Sequence, residues 1–168
     1  MSALWPTAPT APLTDLDRAF VAFLLATQPA GDERHAWLAA LTSHQYGQGH
    51  ACLDLQALQL NPADTLAWNT EQLQMLPADL AAAADTLPWS QQPNSPLVQV
   101  EQRLYLRRPY HAEQQIVDSL QQRNAQPVPS LPQLPVLLDA LFPDSQQHRD
   151  ADLQRRACEV AAQGGLLH

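Results

Sequence analysis

The sequence predicts a mainly α-helical fold with a small antiparallel β-sheet, an α+β arrangement loosely like a winged helix. Three observations predict it. Apolar residues recur at helical spacing in two stretches near the start. A pair of glycines, Gly47 and Gly49, then leads into Ala51, Leu53 and Leu55, which alternate with Cys52 and Asp54 as a half-buried strand would. Finally, Leu97-Val98-Gln99-Val100 and Arg103-Leu104-Tyr105-Leu106 flank Glu101-Gln102, the pattern of a hairpin.

Residues 1–12 carry Pro6, Pro9 and Pro12 and read as a loose tail. Thr14 and Asp17 have the spacing of a capping box, in which a hydroxyl and a carboxylate satisfy the first helix amides. Behind them Leu16, Phe20, Phe23 and Leu24 fall on one helical face. Asp32 offers the next N-cap, ahead of a helix with Trp37, Leu38 and Leu41 on its apolar side. Asn61-Pro62 starts a helical, alanine-rich stretch that runs to about Thr86 and breaks near Pro77. A loop of Gln, Pro, Asn and Ser follows at residues 91–96. After the hairpin, a helix over residues 110–123 is expected to bury Ile116, Val117 and Leu120. Pro127, Pro129, Pro132 and Pro135 make residues 127–135 a stiff connector. Beyond it, residues 136–142 form a short apolar helix closed by Pro143. Asp150 caps a last helix through Ala162, and Gly164-Gly165 stop it.

Composition narrows the chemistry. The chain has 168 residues, 45% hydrophobic and only 15% charged, which suits a folded domain with a real core. Its formal net charge of -8 repels nucleic-acid phosphates, so any DNA contact needs a local basic patch. All nine basic residues are arginines. A phosphate-loop lysine, a Schiff-base lysine and a lysine general base are therefore excluded. Cys52 and Cys158 are too few and too far apart for a disulfide framework, and read as reduced thiols of a cytoplasmic protein. No apolar run approaches the ~18 residues that span a bilayer.

His44, His50 and Cys52 are three ligand types within a short stretch, but a closed zinc site needs a fourth. The expectation is no metal, with His44 capping a helix C-terminus and His50 bonded to backbone in the turn. Arg103, Arg107 and Arg108 gather positive charge around the hairpin, where it guards a strand edge, touches a DNA backbone or meets a protein partner, the first being favoured in a net acidic chain. Phe20, Phe23, Trp37 and Trp68 read as core or as part of a docking face, with Trp5 and Trp89 as further docking candidates.

Three blocks of residues resemble one family. The first runs from Leu16-Asp17 and Phe20 through Ala30-Gly31-Asp32-Glu33 to Leu41, Ser43-His44, Gly47, Gly49-His50, Cys52-Leu53 and Leu55. The second is Arg103-Leu104-Tyr105-Leu106 with Glu113 downstream, and the third is Leu141-Phe142-Pro143 followed by Gln154. In order and spacing they resemble the N-terminal part of the exodeoxyribonuclease V alpha chain, the RecD subunit of the RecBCD helicase-nuclease. The resemblance implies an N-terminal interaction domain at 13–126, the linker at 127–135, and the start of a helicase motor domain at 136–168. It implies a chain that stops before the phosphate-binding loop, taking part in double-strand-break repair by docking on a RecC-type subunit. Phe20, Phe23, Arg103, Arg107 and Arg108 are then the partner-binding candidates. DNA would be met only through the full complex, and no membrane is involved. Gln154 would face the adenine of ATP in the full-length protein, since a side-chain amide both donates and accepts; ATP and Mg belong to that longer protein and no cofactor to this chain. The rival is a self-standing winged-helix DNA-binding regulator, which requires a basic recognition helix; residues 110–123 carry Glu113 and Asp118 against a lone Arg123. A small hydrolase ranks last for want of a Gly-x-Ser-x-Gly elbow.

Phosphoryl transfer needs a phosphate-loop lysine, Mg²⁺ ligands and an arginine finger. The purified chain is accordingly expected to show no ATP hydrolysis above a buffer blank in a phosphate-release assay; steady turnover would overturn the resemblance-based reading.

Overall fold

The computed structural model describes residues 11–125, 131–143 and 149–162. Most of the expected tail, Trp5, Pro127, Pro129, the Gly164-Gly165 stop and the chain end lie outside the described residues. The chain divides into two compact units, residues 1–112 and 113–168.

In the first unit, α1 (Asp15–Thr27) starts with the expected capping box: Thr14 accepts from the Asp17 amide while the Asp17 carboxylate accepts from the Thr14 amide. α2 (Glu33–Gly47) is capped by Asp32, whose Oδ1 accepts the His35 amide at 3.0 Å. The reciprocal partner is His35 itself, whose Nδ1 accepts the Asp32 amide at 3.0 Å. That role places the ring proton on Nε2, which donates to Thr86 Oγ1 at 3.1 Å. Partial burial works against the charge on Asp32, but bonds from Arg34 and the His35 amide outweigh it and hold its carboxyl below the usual range.

α2 is the central pillar. Every residue from His35 to Gln45 is buried, as elements pack on it from several sides: α1, the helical turn at Leu80–Ala83, and the strands Leu53–Asp54 and Arg103–Leu106. Gly49 adopts φ 91, a left-handed value that glycine takes without strain, and turns the chain out of α2. β1 is only Leu53–Asp54, because Leu55 already opens α3 (Leu55–Leu60) under the N-cap of Asp54. The alternation of residues 51–55 thus predicted a longer strand than forms. The hairpin forms as expected: β2 (Leu97–Val100) pairs antiparallel with β3 (Arg103–Leu106), and β3 also pairs with β1, giving the order β1-β3-β2.

The alanine-rich stretch is broken more often than Pro77 alone required. It forms α4 (Pro62–Leu66), α5 (Thr70–Leu73), α6 (Leu80–Ala83) and a 3₁₀ turn at Ala84–Thr86. Asn61 and Asn69 act as fresh N-caps, and Ala67 and Asp79 take left-handed φ of 54 and 56 that no helix continues through.

Trp89 is a pin, not a docking residue. It is 1% exposed, and its indole N–H donates to the Gln28 carbonyl at 3.1 Å. Its ring lies against Gly31, where an added Cβ would meet ring carbons at 2.7 Å. Trp89 belongs to one buried apolar cluster with Trp37, Leu38, Leu41, Leu53, Leu55, Leu87, Leu97 and Leu104.

α7 (Arg107–Ala125) begins directly after β3. In the second unit its residues Ile116, Val117 and Leu120 are exposed, at 60%, 42% and 41%, so the expected burial does not occur. Helical spacing marks an apolar stripe; it does not supply a neighbour to cover it. α8 (Leu134–Leu141) buries Leu138 and ends just before Pro143, as expected. α9 (Arg149–Ala162) already includes Asp150, which therefore lies inside the helix instead of capping it. Arg155 bonds Asp139 at 2.8 Å between α9 and α8.

Gly31→Ala is expected to lose about 1–3 kcal/mol, because the methyl group overpacks against a fully buried ring. Urea unfolding followed by tryptophan emission reads this; an unchanged midpoint would show that Trp89 yields freely.

Candidate functional site

α1 divides the four apolar residues that the sequence pattern placed on one face: Leu24 is buried, while Leu16 and Phe23 are exposed. Asp17, Val21 and Leu24 point inward. Leu16 and Phe23 are 73% and 59% exposed, and Phe20 is half-buried. The reason is a polar anchor. The Asp17 carboxylate, 2% exposed, accepts from the Thr14 amide at 2.9 Å and the Thr14 hydroxyl at 2.8 Å. Across the helix interface it accepts from the Ser43 hydroxyl at 2.6 Å and faces His44 Nδ1 at 3.3 Å. An ionised carboxylate only accepts, so His44 must carry a proton on Nδ1 in this contact. These bonds draw Asp17 to α2 and rotate Leu16, Phe20 and Phe23 outward.

Leu16 and Phe20 border a cavity of about 500 Å³. Leu16 and Phe20 from α1, Tyr46 and Gly47 at the end of α2, and Leu106 of β3 surround it, with Ser43 and His44 among the lining groups. Tyr46 is 48% exposed and extends the apolar surface. The groove is an uncovered apolar surface in which Thr14, Asp17, Ser43 and His44 are already bonded to one another, which suits docking more than chemistry.

The hairpin arginines have internal duties. Arg103 lies 3.7 Å from Asp54, and the Tyr105 hydroxyl, then Asp54, hold its guanidinium more firmly protonated than usual. Burial, followed by the Cys52 thiol, pushes the Tyr105 hydroxyl above its ordinary range. The Tyr105 ring also meets that of Tyr110 at 5.1 Å. Arg107 donates to the backbone carbonyls of Ser95, Gln92 and Leu97, the last two at 3.3 and 3.2 Å. Arg108 is exposed at the start of α7.

His44 bonds Asp17, Cys52 faces Tyr105, and in the turn the His50 amide donates to the Gln45 carbonyl at 3.0 Å. The His44 ring bonds a carboxylate instead of capping the end of α2. Among the described residues no three His, Cys, Asp or Glu side chains are grouped to hold a metal. Cys52 is half-buried and Cys158 exposed. Trp37 and Trp68 are core, with ring centroids 6.4 Å apart, and Trp68 also meets His44 at 5.9 Å. Gln154 is an exposed residue of α9 in the second unit. Among the described residues no helix is long and apolar enough to cross a membrane.

A family model described as RecBCD enzyme subunit RecD, N-terminal domain, matches residues 10–105. The match takes in α1, α2, the short helices and nearly all of the sheet. No curated protein matches the chain.

Asp17→Ala is expected to cost about 2–4 kcal/mol, since it strands buried donors on Ser43 and His44 and removes the α1 cap. Denaturant unfolding measures the loss. A change below about 0.5 kcal/mol would mean that the carboxylate does not hold α1 on α2.

Proposed function

Because the chain belongs to the RecD N-terminal domain family of RecBCD enzymes, we propose that it is a non-catalytic docking domain that seats a RecD-type subunit on a RecC-type subunit. It would serve double-strand-break repair by homologous recombination in the cytoplasm. One observation carries the reading: Leu16, Phe20 and Phe23 of α1, with Tyr46 at the end of α2, leave an apolar surface uncovered beside the Asp17 anchor. Apolar surface gathered on one helix face of a soluble domain marks a partner site more often than an accident of composition. The α1 stripe has the i, i+4, i+7 spacing by which a helix presents anchors to another protein.

The DNA-regulator alternative draws less support. Arg103 and Arg107 are engaged with Asp54, Tyr105 and loop carbonyls, and α7 carries Glu113 and Asp118 where a recognition helix needs basic residues. DNA would then reach the chain only within the whole complex. The ATP and Mg of a full-length subunit, and an adenine contact by Gln154, would belong to a motor domain and not to the surface described above.

Co-purification with a RecC-type subunit tests the docking role. Leu16→Asp combined with Phe23→Asp should weaken capture at least about tenfold, with a melting temperature close to that of the parent chain because both side chains are exposed. Capture unaffected by this pair would refute the assignment of the α1 face. Tight binding of duplex DNA at moderate salt by the chain alone would favour the regulator.

A further inference from the structure

A second groove lies on the first unit, away from the α1 stripe, and the sequence pattern did not suggest it. The end of α3, the start of α4, α5, the turn at Leu76-Pro77 and α6 enclose a cavity of about 460 Å³. Leu58, Leu73, Leu76 and Leu80 supply apolar wall, with Pro62 and Pro77 between them. That volume lies within the range that accepts drug-sized ligands or a few large side chains.

Its charge is one-sided. Asp79 and Asp85 stand among the lining residues, both exposed, and no arginine or histidine lines the groove. Asp79 occupies the N-cap position of α6, where an aspartate ordinarily bonds a helix amide. Its φ of 56 prevents this, and the carboxylate makes no cap bond. The Asp85 carboxylate accepts a long bond from Gln99 Nε2, 3.4 Å, while its backbone carbonyl accepts from Gln91 Nε2. Two carboxylates are therefore left beside a hollow walled by leucine and proline on one part and by Gln59 and Gln102 on another, Asp79 at the cost of a left-handed backbone that a non-glycine residue seldom adopts.

From this geometry we infer that the groove between α3 and α6 binds a short peptide segment of a partner protein, one with a large apolar side chain next to arginine or lysine. The apolar side chain fills the hollow between Leu58, Leu73 and Leu80. The cationic group meets Asp79 and Asp85 at the rim. The match is one of charge as well as shape: an apolar or acidic segment leaves the two carboxylates desolvated without a counter-ion. The site stands on observations separate from the α1 face, so either can fail without the other.

The test uses the full chain and synthetic peptide pairs. One member of each pair places Leu or Phe beside Arg; the other replaces Arg by Glu. Isothermal titration should show saturable binding of Arg peptides and none of their Glu partners. Asp79→Asn with Asp85→Asn should weaken binding about tenfold or more. Glu113→Gln with Asp118→Asn removes the same charge from exposed positions on α7 and should leave the affinity within about twofold. The Leu16→Asp, Phe23→Asp chain should also bind as the parent does. Equal losses in the two charge-matched variants would reduce the effect to general attraction by an acidic chain and overturn the site. Failure of every Arg peptide to saturate would overturn it too.

Discussion

The bond network centred on the Asp17 carboxylate is the constraint from which the rest follows. It caps α1 through Thr14 and ties α1 to α2 through Ser43 and His44, in a place with almost no solvent contact. A buried carboxylate is tolerable only when its lone pairs are filled, so the register of α1 against α2 has little freedom. That register decides which apolar residues enter the core and which stay outside. Val21 and Leu24 go in; Leu16 and Phe23 stay out. The candidate partner surface is thus a by-product of a polar choice made on the adjoining flank of the same helix, at the floor of the same groove.

Local signals explain why much of the architecture was legible in the sequence. Thr14, Asp32 and Asn61 each began a helix where a short polar side chain could take up orphan amides. The hairpin strands emerged from simple alternation, and the family resemblance carried by the first two blocks agrees with the matched segment. These features depend on neighbours within a few residues, which a linear pattern contains.

Long-range pairing was not legible. Periodicity grouped Leu16, Phe20, Phe23 and Leu24 on one face because it scores Asp17 as a surface residue. Nothing near Asp17 announces a hydroxyl and an imidazole waiting 26 and 27 residues later. Trp89 looked like a loop aromatic since its acceptor, the Gln28 carbonyl, lies 61 positions back. His44, His50 and Cys52 looked like a ligand set because spacing along the chain conceals that His44 bonds Asp17 and Cys52 faces Tyr105. The groove between α3 and α6 was hidden for a similar reason: left-handed Ala67 and Asp79 divide what composition presents as one long helical run.

Arg107 illustrates a different consequence. Residues 91–96 have the composition of a wandering loop, with two prolines and several amides. A planar guanidinium fans out to three of the carbonyls at and beside this loop, and the Arg107 amide reaches a fourth, that of Pro96. Lysine, with its compact ammonium, would not make the same fan. The loop is therefore already frozen against the sheet edge in the unbound chain. A macromolecule that came to lie along that edge would find a ready-shaped rim, and the ordering entropy usually surrendered on association would have been spent beforehand, during folding.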